Sequence, residues 1–423
     1  MRFRERLWLF FLPLMFLPDL GFRRATALGT LDIGDYLILP YIILLLVAKG
    51  HACPRYSKGL RYVLVAFVAW ALVGVLTINV RYDYGFDYST MTFSLLKIAK
   101  LVLYGLAGVL TMTKVNGSHV RREFHWSLLG VIIVMAISLL LGPGKDIEDK
   151  TNMGYISHNY LSVTAAILFS YCSGLLASGY GSKRWKLAAA VTLVFGLAGI
   201  LMSEGRGGWV ATILAVLYVM WRKGLRREII ALVAGFLMIG YVSYREFPSF
   251  QQRLDFTVSP DLRSQTGETT NIAGLDEGGR IENWSEIENF ANAPFWGTGF
   301  YHRAGLSGIW WNGSHNFFIQ MFLETGFAGG GLILLAFARM WVEAGSRVAQ
   351  QALLTTPLRA ALIAAVAGGM SGDYYYGGIA LLAVFLVYAP TGALPRMRKA
   401  HVVEYVPRLA YQPVAEKGTN WTR

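Results

Sequence analysis

Two arginines and a histidine are the residues of this chain whose types and settings suit chemistry. Arg206 stands in SEGRGGW (203–209), Arg280 opens RIENWSEIENFANAPFWGTGF (280–300), and His315 lies in WWNGSHNFFIQMFLETGFAGG (310–330). A guanidinium stays charged and pairs as a fork with phosphate or carboxylate oxygens. A neutral imidazole takes up a proton near neutral pH. Arg206 is read in a turn a few residues long between two apolar runs, which keeps it near a membrane surface. The glycines beside it let a bulky ligand approach the backbone. Ser314 is read as an N-cap with His315 in the first helical turn. The positive end of a helix opposes protonation there. Each residue also has a plainer reading: an arginine snorkelling to headgroup phosphates, a solvated arginine flanking a helix, and a histidine in a capping region. The residues alone leave both readings open.

Other polar and aromatic residues fall nearby in the pattern. Lys97 and Lys100 lie three residues apart, hence on one face of an apolar stretch, where charge is costly unless it faces a cavity or partner. They either extend a basic path inward or snorkel. Trp310 and Trp311 either stack on a ligand or belong to the interfacial aromatic belt. His158 and Asn159 begin another apolar run and either line the same vestibule as His315 or only open a helix. Glu324 is the one acid well inside an apolar run, placed to brace Lys97 or Lys100. Asp83, Asp87, Asp146, Glu148 and Asp149 are read as solvated loop acids. SEGRG lacks the phosphate-loop spacing, and no HExxH occurs. Cys53 and Cys172 are isolated, which excludes a disulfide framework.

The elements that must position these residues follow from hydropathy. Of 423 residues, 54% are hydrophobic and 15% charged, well below the roughly 25% charged of soluble domains. The apolar residues come in blocks of about the length that crosses a bilayer as a helix. Twelve spans are expected, at 7–20, 33–48, 60–78, 91–112, 126–142, 158–178, 187–203, 208–221, 229–244, 315–338, 358–371 and 377–390. The fold class is therefore all-α and polytopic. No cleavable leader is expected after Arg2, Arg4 and Arg6.

Alternate loops differ in charge. Lys49, Arg55, Lys58 and Arg61, then Arg121 and Arg122, then Lys183, Arg184 and Lys186, then Arg222, Lys223, Arg226 and Arg227 form one set. Such loops lie on the cytoplasmic side. That places both termini in the cytoplasm and the segment after Tyr244 outside. The net charge of +13 then faces anionic lipid rather than nucleic acid. The expected organisation is nine helices over 1–244, an outer loop with a short amphipathic helix around Ile281, Trp284 and Ile287 over 245–314, three helices over 315–390, and a basic tail over 391–423. Pro294 would end the amphipathic helix.

Taken in order, SEGRGGW, Arg280 with NAPFWGTGF, and SHNFFIQMFLETGFAGG resemble the O-antigen ligase and polymerase superfamily. GYISHNYLS (154–162) is similar to a further segment of it. The resemblance spans roughly residues 30–390. It implies a GT-C-like glycosyltransferase of the bacterial inner membrane, with its active site on the periplasmic face. The donor would be an undecaprenyl-pyrophosphate glycan and the acceptor lipid A–core or a growing glycan. Arg206 and Arg280 would bind the pyrophosphate, and His315 would stand near the acceptor. Trp310 and Trp311 would stack on sugars or anchor in the interface. With two arginines on the leaving group, no cofactor, nucleotide or metal is expected. Inversion at the anomeric carbon is expected. Glu282, Glu286 and Glu288 are weaker candidates for the base. The sequence leans towards a ligase, with a repeat-unit polymerase and a secondary transporter as alternatives. Acids at mid-span, which ion-coupled transport would use, are almost absent.

Overall fold

The computed structural model describes residues 24–26, 29–31, 33–47, 58–82, 91–92, 94–103, 106, 125–126, 128–133, 135–136, 144–145, 151–152, 158–202, 205–224, 227–246, 251, 295–297, 299, 316–345 and 353–370. The described residues are largely helical. The principal helices are α1 (Ile33–Val47), α2 (Lys58–Tyr82), α3 (His158–Ala177), α4 (Lys183–Met202), α5 (Arg206–Lys223), α6 (Arg227–Glu246), α7 (Phe317–Ala344) and α8 (Thr355–Gly369). Residues 94–103 and 128–133 are also helical. Two short antiparallel hairpins depart from the all-helical expectation: β1 (Arg24–Thr26) with β2 (Gly29–Leu31), and β3 (Gly144–Lys145) with β4 (Thr151–Asn152). Both fall between expected spans.

Within the expected spans from 33–48 to 358–371, the described residues are helical apart from span ends, while 104–105, 107–112 and 137–142 lie outside the described residues. Those at 7–20 and 377–390 lie outside the described residues, as does the amphipathic helix expected around Trp284. Among the described residues, two helices are long and apolar enough to cross a bilayer, Lys183–Leu201 and Phe317–Ala344. Tyr62–Thr77 and Ser162–Ala177 are shorter apolar stretches. Outward-facing side chains are also apolar. Leu187, Val191 and Phe195 form an exposed row on α4, and Val210, Leu214, Leu217 and Trp221 do so on α5. A helix apolar on both its packed and its outer face suits hydrocarbon surroundings.

Helix α3 is the centre of the bundle. Residues 162–177 are all buried, and α4, α5 and α8 pack around them. Its small residues permit this. A Cβ added at Gly174 would stand 2.5 Å from the Cα of Pro357 on α8, so the two backbones touch. Helix α8 answers with Ala360, Ala361, Ala364 and Ala365, all buried. Close approach at small residues is how apolar helices gain packing where burial from water offers no drive. Cys172 is a buried free thiol in this core. Helix α2 packs instead on α7.

Candidate functional site

The start of α5 is built on the start of α3. Gly205 caps α5 with φ −79° and ψ 93°, without a side-chain hydrogen bond. Its carbonyl accepts from Gly208 N at 2.9 Å and from the Ser162 hydroxyl at 3.0 Å. A Cβ at Gly208 would fall on the Ser162 hydroxyl and within 2.8 Å of the Ser162 carbonyl carbon. Gly205 and Gly208 of SEGRGGW are therefore packed against Ser162, the last residue of GYISHNYLS. Glycine at 208 is there because nothing larger fits. Trp209 secures the same turn by donating its indole N–H to Ile200 O at 3.0 Å, in the last turn of α4.

Arg206 is the first residue of α5, not a turn residue two positions ahead of it as the sequence suggests. A cation at the positive end of a helix is locally unfavourable. Such an end, with no side-chain cap, attracts anions. A local cost of this kind is what functional positions show.

The second construction is a break in α7. The backbone at Gly326 is non-helical, with φ 67° and ψ −175°, a region open only to glycine. The helix is thus two pieces, 317–325 and 327–344, where the sequence suggests one continuous span. The cause is the segment Phe295–Gly299, which occupies the gap. Gly297, itself at φ 70°, lies so close that an added Cβ would meet Gly326 N and come 2.5 Å from the Glu324 carbonyl. A Cβ on Gly326 would run into the Phe295 carbonyl. The break frees carbonyls that a continuous helix would use, and two of them accept from donors outside the helix. Gly299 N–H donates to Glu324 O at 2.8 Å. The Trp70 indole donates to Thr325 O at 2.8 Å. The Trp70 ring stacks on Trp296 with centroids 4.6 Å apart and planes 6° apart, and meets Phe295 edge-on at 5.4 Å.

The first piece of α7 carries a polar stripe. Asn316, Gln320 and Glu324 recur every fourth residue and are buried. Gln320 Nε2 donates to Glu324 Oε1 at 2.7 Å. Asn316 is the N-cap, its Oδ1 accepting from Phe318 N at 3.0 Å and Ile319 N at 3.2 Å. This corrects the expectation of a Ser314 cap with His315 in the first turn. Asparagine ranks with serine as a cap, and here its amide oxygen reaches the second and third helical N–H groups. His315 consequently precedes the cap, and the helix-end argument for its neutrality loses its basis.

Arg280, Trp310, Trp311 and His315 lie outside the described residues, as do Glu282, Glu286 and Glu288. Of Arg206, the backbone is placed. Lys97 and Lys100 are half-buried, and both have interaction partners. Ser162, Gly208, Trp70 and Gln320 were not singled out in the sequence. The signals for Gly208 and for the break were the glycines of RGG and ETGFAGGG.

Residues 188–334 match the family model of the O-antigen ligases. That part of the chain belongs to this family. The match begins in α4 and ends in the second piece of α7. It contains SEGRGGW, the Phe295–Gly299 segment and the break. Membership points to a glycan-handling enzyme acting at a membrane. Compared with curated proteins, the chain matches none. Trp70 and Ser162, which hold the two constructions from outside, lie beyond the matched residues.

Proposed function

We propose that the protein is an O-antigen ligase-type glycosyltransferase of the bacterial inner membrane. It transfers a glycan from undecaprenyl pyrophosphate to a sugar hydroxyl of lipid A–core at the periplasmic face. The observation that carries this reading is the family match over 188–334, which contains Arg206 at the uncapped start of α5.

The acceptor oxygen attacks the anomeric carbon of the donor sugar. The bond from that carbon to the pyrophosphate oxygen breaks, and undecaprenyl pyrophosphate leaves with the electron pair. Arg206 and Arg280 stabilise the charge that develops on it. His315 accepts the hydroxyl proton as general base or orients the hydroxyl. A single displacement inverts the anomeric configuration. Lys97 and Lys100 extend the basic surface for the donor head, and Trp310 and Trp311 lie against sugar faces.

The test uses purified full-length protein in lipid nanodiscs with an undecaprenyl-pyrophosphate oligosaccharide. Lipid A–core and a fresh lipid-linked repeat unit are supplied in separate arms, and products are resolved by mass. Glycan on lipid A–core with undecaprenyl pyrophosphate released is the expected result. Lengthened lipid-linked chains would make the protein a polymerase, and no product in either arm would overturn the transferase reading.

A further inference from the structure

Trp70 sits on α2, far in sequence from every motif that carries the family resemblance, and outside the matched residues. Yet its indole fills the break in α7. The N–H bonds to Thr325 O at 2.8 Å, the last residue of the first piece. A Cβ added at Gly329, in the second piece, would stand 3.1 Å from Trp70 Cδ1. The ring face stacks on Trp296. One side chain thus touches both pieces of the broken helix and the segment that breaks it.

The mechanical consequence follows from where the first piece is held. Residues 317–325 are two and a half turns long, too short to be stable by themselves. Their N-terminal end is capped by Asn316. Their C-terminal end is fixed by Gly299 N–H and by Trp70. Thr325 is 2% exposed, so without the indole its carbonyl has no water to turn to. A shift at the break would displace the start of this piece, where His315 immediately precedes the cap in sequence. Catalytic geometry tolerates little displacement.

We propose that Trp70 is a positioning residue for the transfer reaction, a wedge that sets the first piece of α7 against the Phe295–Gly299 segment. This rests on the transferase reading above. Trp70 acts through the half-helix that leads back to His315 and through the segment that closes the outer loop.

The experiment uses the full chain in nanodiscs, with Trp70→Phe and Trp70→Ala. Phenylalanine keeps a ring on Trp296 and removes the N–H donor, and alanine removes both. Hydrogen exchange by mass spectrometry reads the break without reference to activity. Peptides covering 295–299 and 324–329 should exchange about tenfold faster in Trp70→Phe, as local opening becomes easier. In the glycan transfer assay kcat should fall by about tenfold or more, with KM for donor and acceptor within about twofold, the pattern of an interaction felt only in the transition state. Trp70→Ala should lose more than Trp70→Phe on both measures. Leu193→Ala, in the buried core of α4, serves as a control for general destabilisation and should leave kcat unchanged.

Unchanged exchange at the break in Trp70→Phe, with wild-type transfer intact, would overturn the wedge. Faster exchange with unchanged kcat would overturn the positioning role. So would an equal fall in kcat for Leu193→Ala at equal loss of thermal stability. Absence of transfer by the wild-type protein in both acceptor arms would overturn the transferase reading and, with it, any role of Trp70 in catalysis. Exchange would then still report whether the wedge holds the break.

Discussion

The indole nitrogen of Trp70 lies 2.8 Å from the carbonyl oxygen of Thr325, a residue 255 positions further along the chain. That one bond ties the second principal helix to the point where α7 is interrupted. A helix interrupted in an apolar setting must find partners for the carbonyls it frees. Here those partners come from elsewhere: the backbone N–H of Gly299 and a side chain of α2. The interruption is therefore a tertiary feature, held by residues that no local window of sequence contains.

The glycine at the break cannot be replaced. Gly326→Ala places a side chain at φ 67°, in a region that costs about 1–3 kcal/mol. The new Cβ also meets the Phe295 carbonyl, and overpacking adds about 1–3 kcal/mol. The expected outcome is a strong fall in thermal stability in detergent or nanodiscs, with expulsion of the Phe295–Gly299 segment. Gly331, five residues on in the same helix, has open space where its Cβ would point. Gly331→Ala should be neutral or stabilising by up to about 1 kcal/mol. Equal effects of the two substitutions would show that the break is not rigidly held.

The contact between α3 and α5 yields a coupled pair. Gly208→Ala forces its methyl into the Ser162 hydroxyl and should destabilise by about 1–3 kcal/mol. Ser162→Ala alone loses the bond to Gly205 O, worth about 1 kcal/mol. Combining them removes the hydroxyl that the new methyl meets, although the Cβ and carbonyl carbon of residue 162, each 2.8 Å from it, stay. The double variant should be more stable than the sum of the two losses predicts. A thermal unfolding series on all four proteins gives the coupling energy directly, and strict additivity would place the two residues apart.

The buried stripe on the first piece of α7 makes its own prediction. Gln320→Leu removes the amide that donates to Glu324 Oε1, while the carboxyl group remains 1% exposed. Taking a hydrogen-bond donor from a buried acceptor costs about 1–3 kcal/mol, more when the acceptor is charged. Gln320→Leu should therefore destabilise clearly in a denaturant titration. Gln320→Leu combined with Glu324→Leu should depart from the sum of the two single losses, since the two side chains are hydrogen-bonded to each other.

Helices were legible because apolar blocks alternate with short basic loops, and each observed helix begins or ends within a few residues of a change in composition. The packing of Gly205 and Gly208 on Ser162 was not legible. It depends on Gly208 and Ser162 being unable to keep apart, and a glycine in sequence does not say what it must avoid. The continuous reading of α7 failed for a related reason. Glycine in an apolar run is compatible with helix, and what excludes helix at Gly326 is the Phe295 carbonyl pressing on it. Two capping residue types stand two positions apart at Ser314 and Asn316. Spacing alone could not choose between them, because the choice rests on which side chain reaches Phe318 and Ile319.

The chemistry is tested on the arginines and the histidine. Arg206→Ala and Arg280→Ala should each lower turnover by about 10²-fold or more, the loss of roughly 2.7–4 kcal/mol of transition-state stabilisation. Lysine at either position should restore activity only in part, because a point charge replaces a planar fork. Arg206→Ala should leave thermal stability nearly unchanged or slightly raised, since it removes a cation from the positive end of α5. That combination, lost turnover with retained stability, separates a role in charge stabilisation from a role in folding. His315→Ala should impair transfer and spare donor binding, measured by equilibrium binding of the lipid-linked glycan. Full activity in purified His315→Ala would remove the histidine from the mechanism. Activity abolished by 1 mM EDTA, about the concentration that strips exchangeable divalent cations, would assign the leaving-group charge to a metal ion instead of to the two arginines.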